Sequence, residues 1–162
     1  RVIGVGYPGG PVIDKMATIG EHEYNLPIPL NDETYNFSFS GLKSAVINLV
    51  HNKAQRGEEV NKENLSKSFQ DVVVDIITRK TMKALKEKNV NYLIVAGGVA
   101  ANKGIRNKLE ELCKKENIEC HCPDFKYCTD NATMIGAAAF VAYKKGIKSD
   151  TKLNAKPGET LV

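Results

Sequence analysis

The chain has 162 residues, of which 42% are hydrophobic and 26% charged, a balance typical of a globular protein with one apolar core. No apolar run reaches the roughly 20 residues that a transmembrane helix needs, and residues 1–11 lack the apolar stretch of a signal peptide, so we expect neither. The net charge of +4 permits an RNA partner without requiring one.

The first half of the sequence predicts three helices separated by irregular segments. Pro11 fits the first turn of a helix reaching about Ile19, and the proline-containing residues 21–34 predict irregular backbone. Residues 35–39 alternate aromatic and small side chains, which predicts a short strand or an extended segment, and Gly41 begins a second helix. The third helix is predicted after a cap at Asn61 or Asn64, because apolar residues recur along one face at Leu65, Phe69, Val72, Val73, Ile76 and Ile77.

The second half alternates strands and helices, which indicates an α/β class with a small parallel sheet. The apolar residues 92–96 predict a buried parallel strand, broken by two glycines and followed by a helix through about Lys115. Residues 118–122 predict a second strand and residues 124–129 a loop. Asp130 is predicted to cap a last, alanine-rich helix that Gly146 ends.

All four cysteines lie in one stretch of the second half, at Cys113, Cys120, Cys122 and Cys128. Their spacing does not match the paired C-x-x-C pattern of a zinc site. We therefore interpret them as reduced thiols of a cytoplasmic protein.

Four segments carry candidate ligand contacts. In AGGVAAN (residues 96–102), glycines after a strand allow close approach of a ligand, and the Asn102 amide can hydrogen-bond a ribose or a base; the alternative is a tight turn without a ligand. In CTDNATMIG (residues 128–136), Asp130 is either a metal ligand or only a helix cap. YPGGPVIDK (residues 7–15) either binds a ligand through Gly10 and Asp14 or is a simple turn. FSFSGLK (residues 37–43) either contacts phosphate or RNA or forms a packed hairpin with a capped helix.

These segments in this order, together with SFQDVVV (residues 68–74), resemble the C-terminal part of bacterial TsaD, also called YgjD or Gcp, from Gly4 to about Lys145. The family was formerly labelled O-sialoglycoprotein endopeptidase or glycoprotease. The resemblance implies a helix-rich partial lobe of the actin-like (ASKHA) ATPase fold, with residues 1–147 a fragment of the C-terminal lobe and residues 148–162 a polar tail.

The resemblance also implies a function for particular residues. The family transfers a threonylcarbamoyl group from threonylcarbamoyl-AMP to N6 of adenosine 37 in tRNA, and Gly10, Asp14 and Asn102 match residues that contact the adenylate. Asp130 matches one ligand of a metal, iron or zinc. The family's remaining metal ligands are two histidines of an H-x-x-x-H motif, which is absent from this sequence. No catalytic residue is implied.

A chain without that motif is expected to be truncated, to carry no metal and to be inactive alone, although the full-length protein is an acyltransferase. The implied partners are tRNA, TsaB and TsaE, without a membrane. An unpaired strand edge would promote self-association, or the chain would be a helix-dominated remnant with a small sheet. The alternative functions are an actin-like ATP-binding regulatory module and a metalloprotease, but the sequence shows neither a zinc-binding histidine pair nor a Ser–His–Asp arrangement.

Overall fold

The computed structural model describes residues 2–154, which fall into two compact units, one ending at Cys128 and the other beginning at Thr129. Both strands and four of the five helices lie in the first unit. In chain order the elements are α1 (Gly9–Ala17), α2 (Ser40–Gln55), α3 (Lys62–Glu87), β1 (Tyr92–Ile94), a 3-10 turn (Gly98–Ala101), α4 (Lys103–Lys115), β2 (Glu119–His121), a second 3-10 turn (Phe125–Tyr127) and α5 (Ala132–Lys144).

The long helix α3 organises the first unit. Its N-cap is Asn61, whose side chain accepts a hydrogen bond from the Asn64 N–H, so the first of the two predicted caps is the one used. One apolar cluster joins α3 to α2 through Leu42, Val72 and Ile76. A second cluster joins α3 to α4 and the sheet through Met82, Leu85 and Cys113.

An irregular segment at residues 20–24 runs beside the first turns of α3. The buried Ser68 hydroxyl accepts hydrogen bonds from the N–H groups of Glu23 and Tyr24, at 3.1 and 3.0 Å. The Asn64 side chain accepts from Glu21 N–H at 2.9 Å. At the start of this segment, a Cβ on Gly20 would lie 2.1 Å from the carbonyl oxygen of Glu63, so the two backbones touch directly.

Lysine side chains of α3 hold the loop at residues 31–36 against the helix. Lys80 is only 3% exposed and donates to the Asp32 carboxylate at 2.8 Å and to the Asn36 carbonyl at 2.7 Å. Lys83 donates to the Glu33 carbonyl at 2.7 Å. Of the two alternatives predicted for residues 35–39, the short strand does not form, and these residues lead into α2 without regular secondary structure.

The Asp32–Lys80 pair predicts a particular sensitivity to acid. The hydrogen bond from Lys80, followed by those from Thr34, lowers the pKa of Asp32 from 3.8 to about 2. A carboxyl group whose pKa is lower in the folded state stabilises that state above its unfolded pKa, and this stabilisation is lost as the pH falls through the folded value. Urea unfolding of the wild-type chain should therefore show stability declining between about pH 4 and pH 2, and this decline should be shallower in Asp32→Asn.

The matched control is Glu59→Gln, an exposed glutamate away from the loop. It should leave the decline between about pH 4 and pH 2 unchanged. Equal slopes for wild type and Asp32→Asn would show that the pair does not anchor the loop.

The sheet has two parallel strands, with Tyr92, Leu93 and Ile94 opposite Glu119, Cys120 and His121. The prediction of parallel strands is confirmed, but the prediction that residues 92–96 are buried is wrong. Tyr92 is 42% and Ile94 65% exposed, and only Leu93 packs against the second apolar cluster. The reason is that helix α4 covers one face of this sheet, and within residues 2–154 each strand has a neighbour on one side only.

The second unit contains α5. Its N-cap is Asn131, whose side chain accepts from the Met134 N–H at 3.0 Å, so the prediction that Asp130 is the cap is wrong by one residue. The predicted stop is confirmed, because Gly146 follows the helix with φ +72°, a conformation that favours glycine. Residues 147–154 contain no helix or strand, and the rest of the predicted polar tail lies outside the described residues.

The α/β class with five helices and a small parallel sheet is as predicted, and it agrees with part of an actin-like lobe. Self-association stays a prediction. In the part of the chain that the structure describes, no helix is both long and apolar enough to cross a membrane.

Candidate functional site

Two of the candidate ligand-binding residues lie on α1. Gly10 is in the first turn and is exposed, and a Cβ there would meet no atom within 4 Å, so open space adjoins the backbone. Asp14 lies one turn later and is half-buried. Its Oδ1 atom is buried yet has no hydrogen-bond partner in the described part of the protein. A buried carboxylate oxygen without a donor is rare in native proteins and calls for an explanation.

The third candidate, Asn102, does not lie within a helix as predicted but is the N-cap of α4. A 3-10 turn that begins at the second glycine, Gly98, lies between Gly97 and Asn102, and α4 begins only at Lys103. The Asn102 Oδ1 accepts from the Ile105 N–H at 2.9 Å, and its Nδ2 donates to Gln70 Oε1 of α3 at 3.1 Å. Both ends of the amide are therefore held, and its second N–H has no hydrogen-bond partner among the described residues.

These contacts predict that two substitutions of Asn102 separate its capping role from its contact with Gln70. Asn102→Ala removes the cap and should lower the free energy of unfolding by about 1 kcal/mol. Asn102→Ser keeps a capping oxygen but lacks the amide N–H groups, so stability should stay within a few tenths of a kcal/mol of wild type. Urea unfolding of both variants measures the difference. Equal losses of stability would mean that the Gln70 contact, rather than the cap, is what stabilises α4.

Helices α1, α3 and α4 meet at a polar groove of about 260 Å³. Gly104 of α4 lines this groove and packs closely against α3. A Cβ there would stand 2.9 Å from Gln70 Nε2 and 3.1 Å from Val74 Cγ2. Sequence reasoning missed both Gln70 and Gly104. The available signal was a glycine in the first turn of a helix, where glycine is unfavourable unless close packing requires it.

The predicted metal ligand Asp130 is exposed and precedes the cap Asn131. Among residues 2–154, no group of three or more histidine, cysteine, aspartate or glutamate side chains is arranged to hold a metal ion. His22 is paired with Asp71 at 3.0 Å and His121 with Glu119 at 2.8 Å. The described residues thus do not form a metal site by themselves.

All four cysteines are free thiols, as predicted. Burial raises the pKa of Cys113 and Cys120 and raises that of Cys122 to about 11. A thiol with a raised pKa is a poor nucleophile at neutral pH, because the thiolate is the reactive form. These three residues therefore have the properties of packed side chains rather than of catalytic groups.

Comparison with known proteins finds one family that matches most of the chain. Residues 1–137 match the family model described as tRNA N6-adenosine threonylcarbamoyltransferase. Proteins of that name are similar to this chain: one from Staphylococcus saprophyticus is 51% identical over 95% of the chain, one from Bacillus cereus 51% over 98%, and one from Bacillus subtilis 49% over 98%. The chain spans about half the length of these curated relatives, covering 45%, 47% and 46% of them respectively.

Proposed function

Because the chain belongs to the tRNA N6-adenosine threonylcarbamoyltransferase family, we propose that the complete protein transfers a threonylcarbamoyl group from threonylcarbamoyl-AMP to adenosine 37 of tRNA. In this reaction a bond forms between N6 of adenosine and the carbonyl carbon of the mixed anhydride. The bond from that carbon to the phosphate oxygen breaks, AMP leaves, and N6 loses a proton. The reaction is an acyl transfer that needs accurate placement of the adenylate beside the nucleotide.

The residues of this chain bind the adenylate in our proposal. Gly10 lets the ligand approach the backbone of α1, because the space beside its Cα is open. Asp14 accepts a hydrogen bond from a hydroxyl group of the ligand. Asn102, with its amide orientation fixed by Gln70 and by the cap, donates its second N–H.

The observation that carries this proposal is the buried Oδ1 of Asp14, which lacks a partner. Leaving a buried acceptor unsatisfied costs about 1–3 kcal/mol, so folding alone gives no reason for a carboxylate at this place. A ligand donor would satisfy it. The carboxylate also accepts but cannot donate, which fits a hydroxyl group of a ribose.

The family resemblance also implies iron or zinc with Asp130 as one ligand, and we propose that role for Asp130 in the complete protein. The other ligands would come from outside the described residues, which do not form a metal site by themselves. We further propose tRNA, TsaB and TsaE as partners, a cytoplasmic location, and no transfer by residues 1–162 alone.

A transfer assay tests the proposal. The complete protein is incubated with TsaB, TsaE, threonylcarbamoyl-AMP and an unmodified tRNA whose anticodon reads codons that begin with A, and the modified nucleoside is measured by mass spectrometry. We expect product with this tRNA and none with a matched transcript carrying guanosine in place of adenosine 37. Product that does not depend on adenosine 37, or no product with either tRNA, would contradict the proposal. In the second case, ATP hydrolysis by the complete protein incubated separately with ATP would favour the ATP-binding module.

A further inference from the structure

Arg106 in the second turn of α4 contacts both loops that follow the strands. The first loop is defined as residues 95–102, after β1, and the second loop as residues 122–128, after β2. The Nε and Nη2 atoms of Arg106 donate to the carbonyl oxygen of Ala100 in the first loop, at 3.2 and 3.0 Å. Nη2 also lies 3.4 Å from Sγ of Cys128, and the guanidinium carbon lies 4.5 Å from the centre of the Phe125 ring, both in the second loop.

Two of the three residues that Arg106 contacts are buried, and the third, Phe125, is exposed. Ala100 and Cys128 are each only 3% exposed, so the carbonyl oxygen and the thiol are removed from water where Arg106 reaches them. A charged donor to a buried carbonyl is stronger than a neutral hydrogen bond. Contact between the guanidinium and the face of Phe125 adds a cation–π attraction. One side chain therefore fixes the separation of the two loops.

The two loops occupy the edge of the sheet where ligands bind in α/β folds. β1 and β2 are parallel neighbours, so their carboxyl ends meet at one edge, and ligands bind outside the carboxyl ends of parallel strands. The first loop ends at Asn102, a proposed adenylate contact. The backbone of Asn102 is itself tied to Arg106, whose N–H donates to the Asn102 carbonyl at 3.1 Å.

We infer that Arg106 is a positioning residue for adenylate binding, an inference that rests on the proposed function. It holds the turn between Gly97 and Asn102 at a fixed distance from the second loop, so that the Asn102 amide meets the ligand without a rearrangement. Lysine would not replace it, because a single ammonium group cannot contact the carbonyl and the thiol while lying flat on a ring.

The test compares the complete wild-type protein with Arg106→Met and Arg106→Lys. The dissociation constant of a non-hydrolysable threonylcarbamoyl-AMP analogue is measured by calorimetry. The rate at which iodoacetamide modifies Cys128 in the folded protein is measured by peptide mass mapping. A misplacement of about 1 Å can lower a reaction rate up to 100-fold, and we expect the displaced loop to weaken binding of the analogue to Arg106→Met by a comparable factor, about 10- to 100-fold. Cys128 should react at least about tenfold faster, with Arg106→Lys intermediate in both measurements.

Lys86→Met is the matched control, because it removes a cation that links α3 to Glu116 at the end of α4, at 2.8 Å, away from both loops. It should change the thermal midpoint little, because both side chains of this pair are about half exposed, and it should leave the analogue affinity and the Cys128 rate unchanged. A merely structural role for Arg106 would lower the thermal midpoint of Arg106→Met while leaving its analogue affinity at the wild-type value.

The outcomes separate the two proposals. If the wild type binds the analogue and Arg106→Met binds it within twofold, the positioning role is wrong and the proposed function stands. If Cys128 reacts at the wild-type rate in Arg106→Met, Arg106 does not hold the second loop and the inference also fails. If the wild type binds no analogue, the proposed adenylate site itself is wrong, and the positioning role is wrong with it.

Discussion

Replacing Gly20 with alanine is expected to lower the free energy of unfolding by about 3 kcal/mol, the upper part of the usual range for overpacking. The new Cβ would stand 2.1 Å from the Glu63 carbonyl oxygen, 2.4 Å from its carbon and 2.9 Å from the Asn64 nitrogen. These are backbone atoms in the first turn of α3, so no side-chain rotation relieves the overlap. The segment at residues 20–24 would have to move away, which also weakens its hydrogen bonds to Asn64 and Ser68.

Urea unfolding monitored by circular dichroism measures this loss. Gly9→Ala is the matched control, because Gly9 lies at the other end of α1 and a Cβ there would meet no atom within 4 Å. Its stability should stay within about 0.5 kcal/mol of wild type, as is usual for substitutions away from packed sites. If Gly20→Ala were as stable as Gly9→Ala, residues 20–24 would not be packed against α3 as described.

Replacing Asp14 with leucine is expected to change stability and ligand binding in opposite directions. Removing a buried acceptor that has no partner should raise the free energy of unfolding, by up to about 1–3 kcal/mol. The same change removes the proposed hydrogen bond to the adenylate. A hydrogen bond to a charged group is worth about 1.5–3 kcal/mol, so affinity for a threonylcarbamoyl-AMP analogue should fall about 10- to 100-fold.

Thermal unfolding and calorimetry on the same preparations of the complete protein measure both effects. Asp75→Leu is the control, because Asp75 is a half-exposed carboxylate of α3 that lies 3.8 Å from Arg79. An exposed pair of this kind contributes little, about 0–1 kcal/mol, and this substitution should leave affinity unchanged. A loss of stability in Asp14→Leu would show that the carboxylate has a structural partner, and the argument for a ligand at this position would fail.

The helices of this protein could be predicted from the sequence because their signals are local. Apolar residues recur along one face of α3, and Asn61 caps that helix, as predicted. Gly146 ends α5 because a positive φ after a helix favours glycine. Each of these features depends on a few neighbouring residues, which a single sequence displays.

Other features could not be predicted because they depend on contacts between distant residues. Gly20 tolerates no side chain because the backbone of Glu63, 43 positions later in the sequence, lies against it. The strand at residues 92–94 is apolar enough to be buried, but burial also needs a covering layer, which β1 has on one face only.

In the candidate site, too, some features could be predicted from neighbouring residues and others depend on contacts between distant residues. Glycine and asparagine residues indicated where a ligand could approach, but the Gln70 contact that orients Asn102 joins positions 32 residues apart. Asp130 and Asn131 are both suitable caps, and which one caps α5 depends on how the chain enters the helix. The unsatisfied oxygen of Asp14 becomes evident only when the atoms around it are known.

The length of α3 has a consequence for how the first unit opens. Its 26 residues extend about 39 Å and take part in both apolar clusters, in the contacts to residues 20–24 and in the anchors of the loop at residues 31–36. Melting the middle of the helix would release all of these at once, so they form one cooperative unit rather than several. Amide hydrogens near Ile76 would then exchange with solvent only through global unfolding, which makes them reporters of the stability of the whole unit.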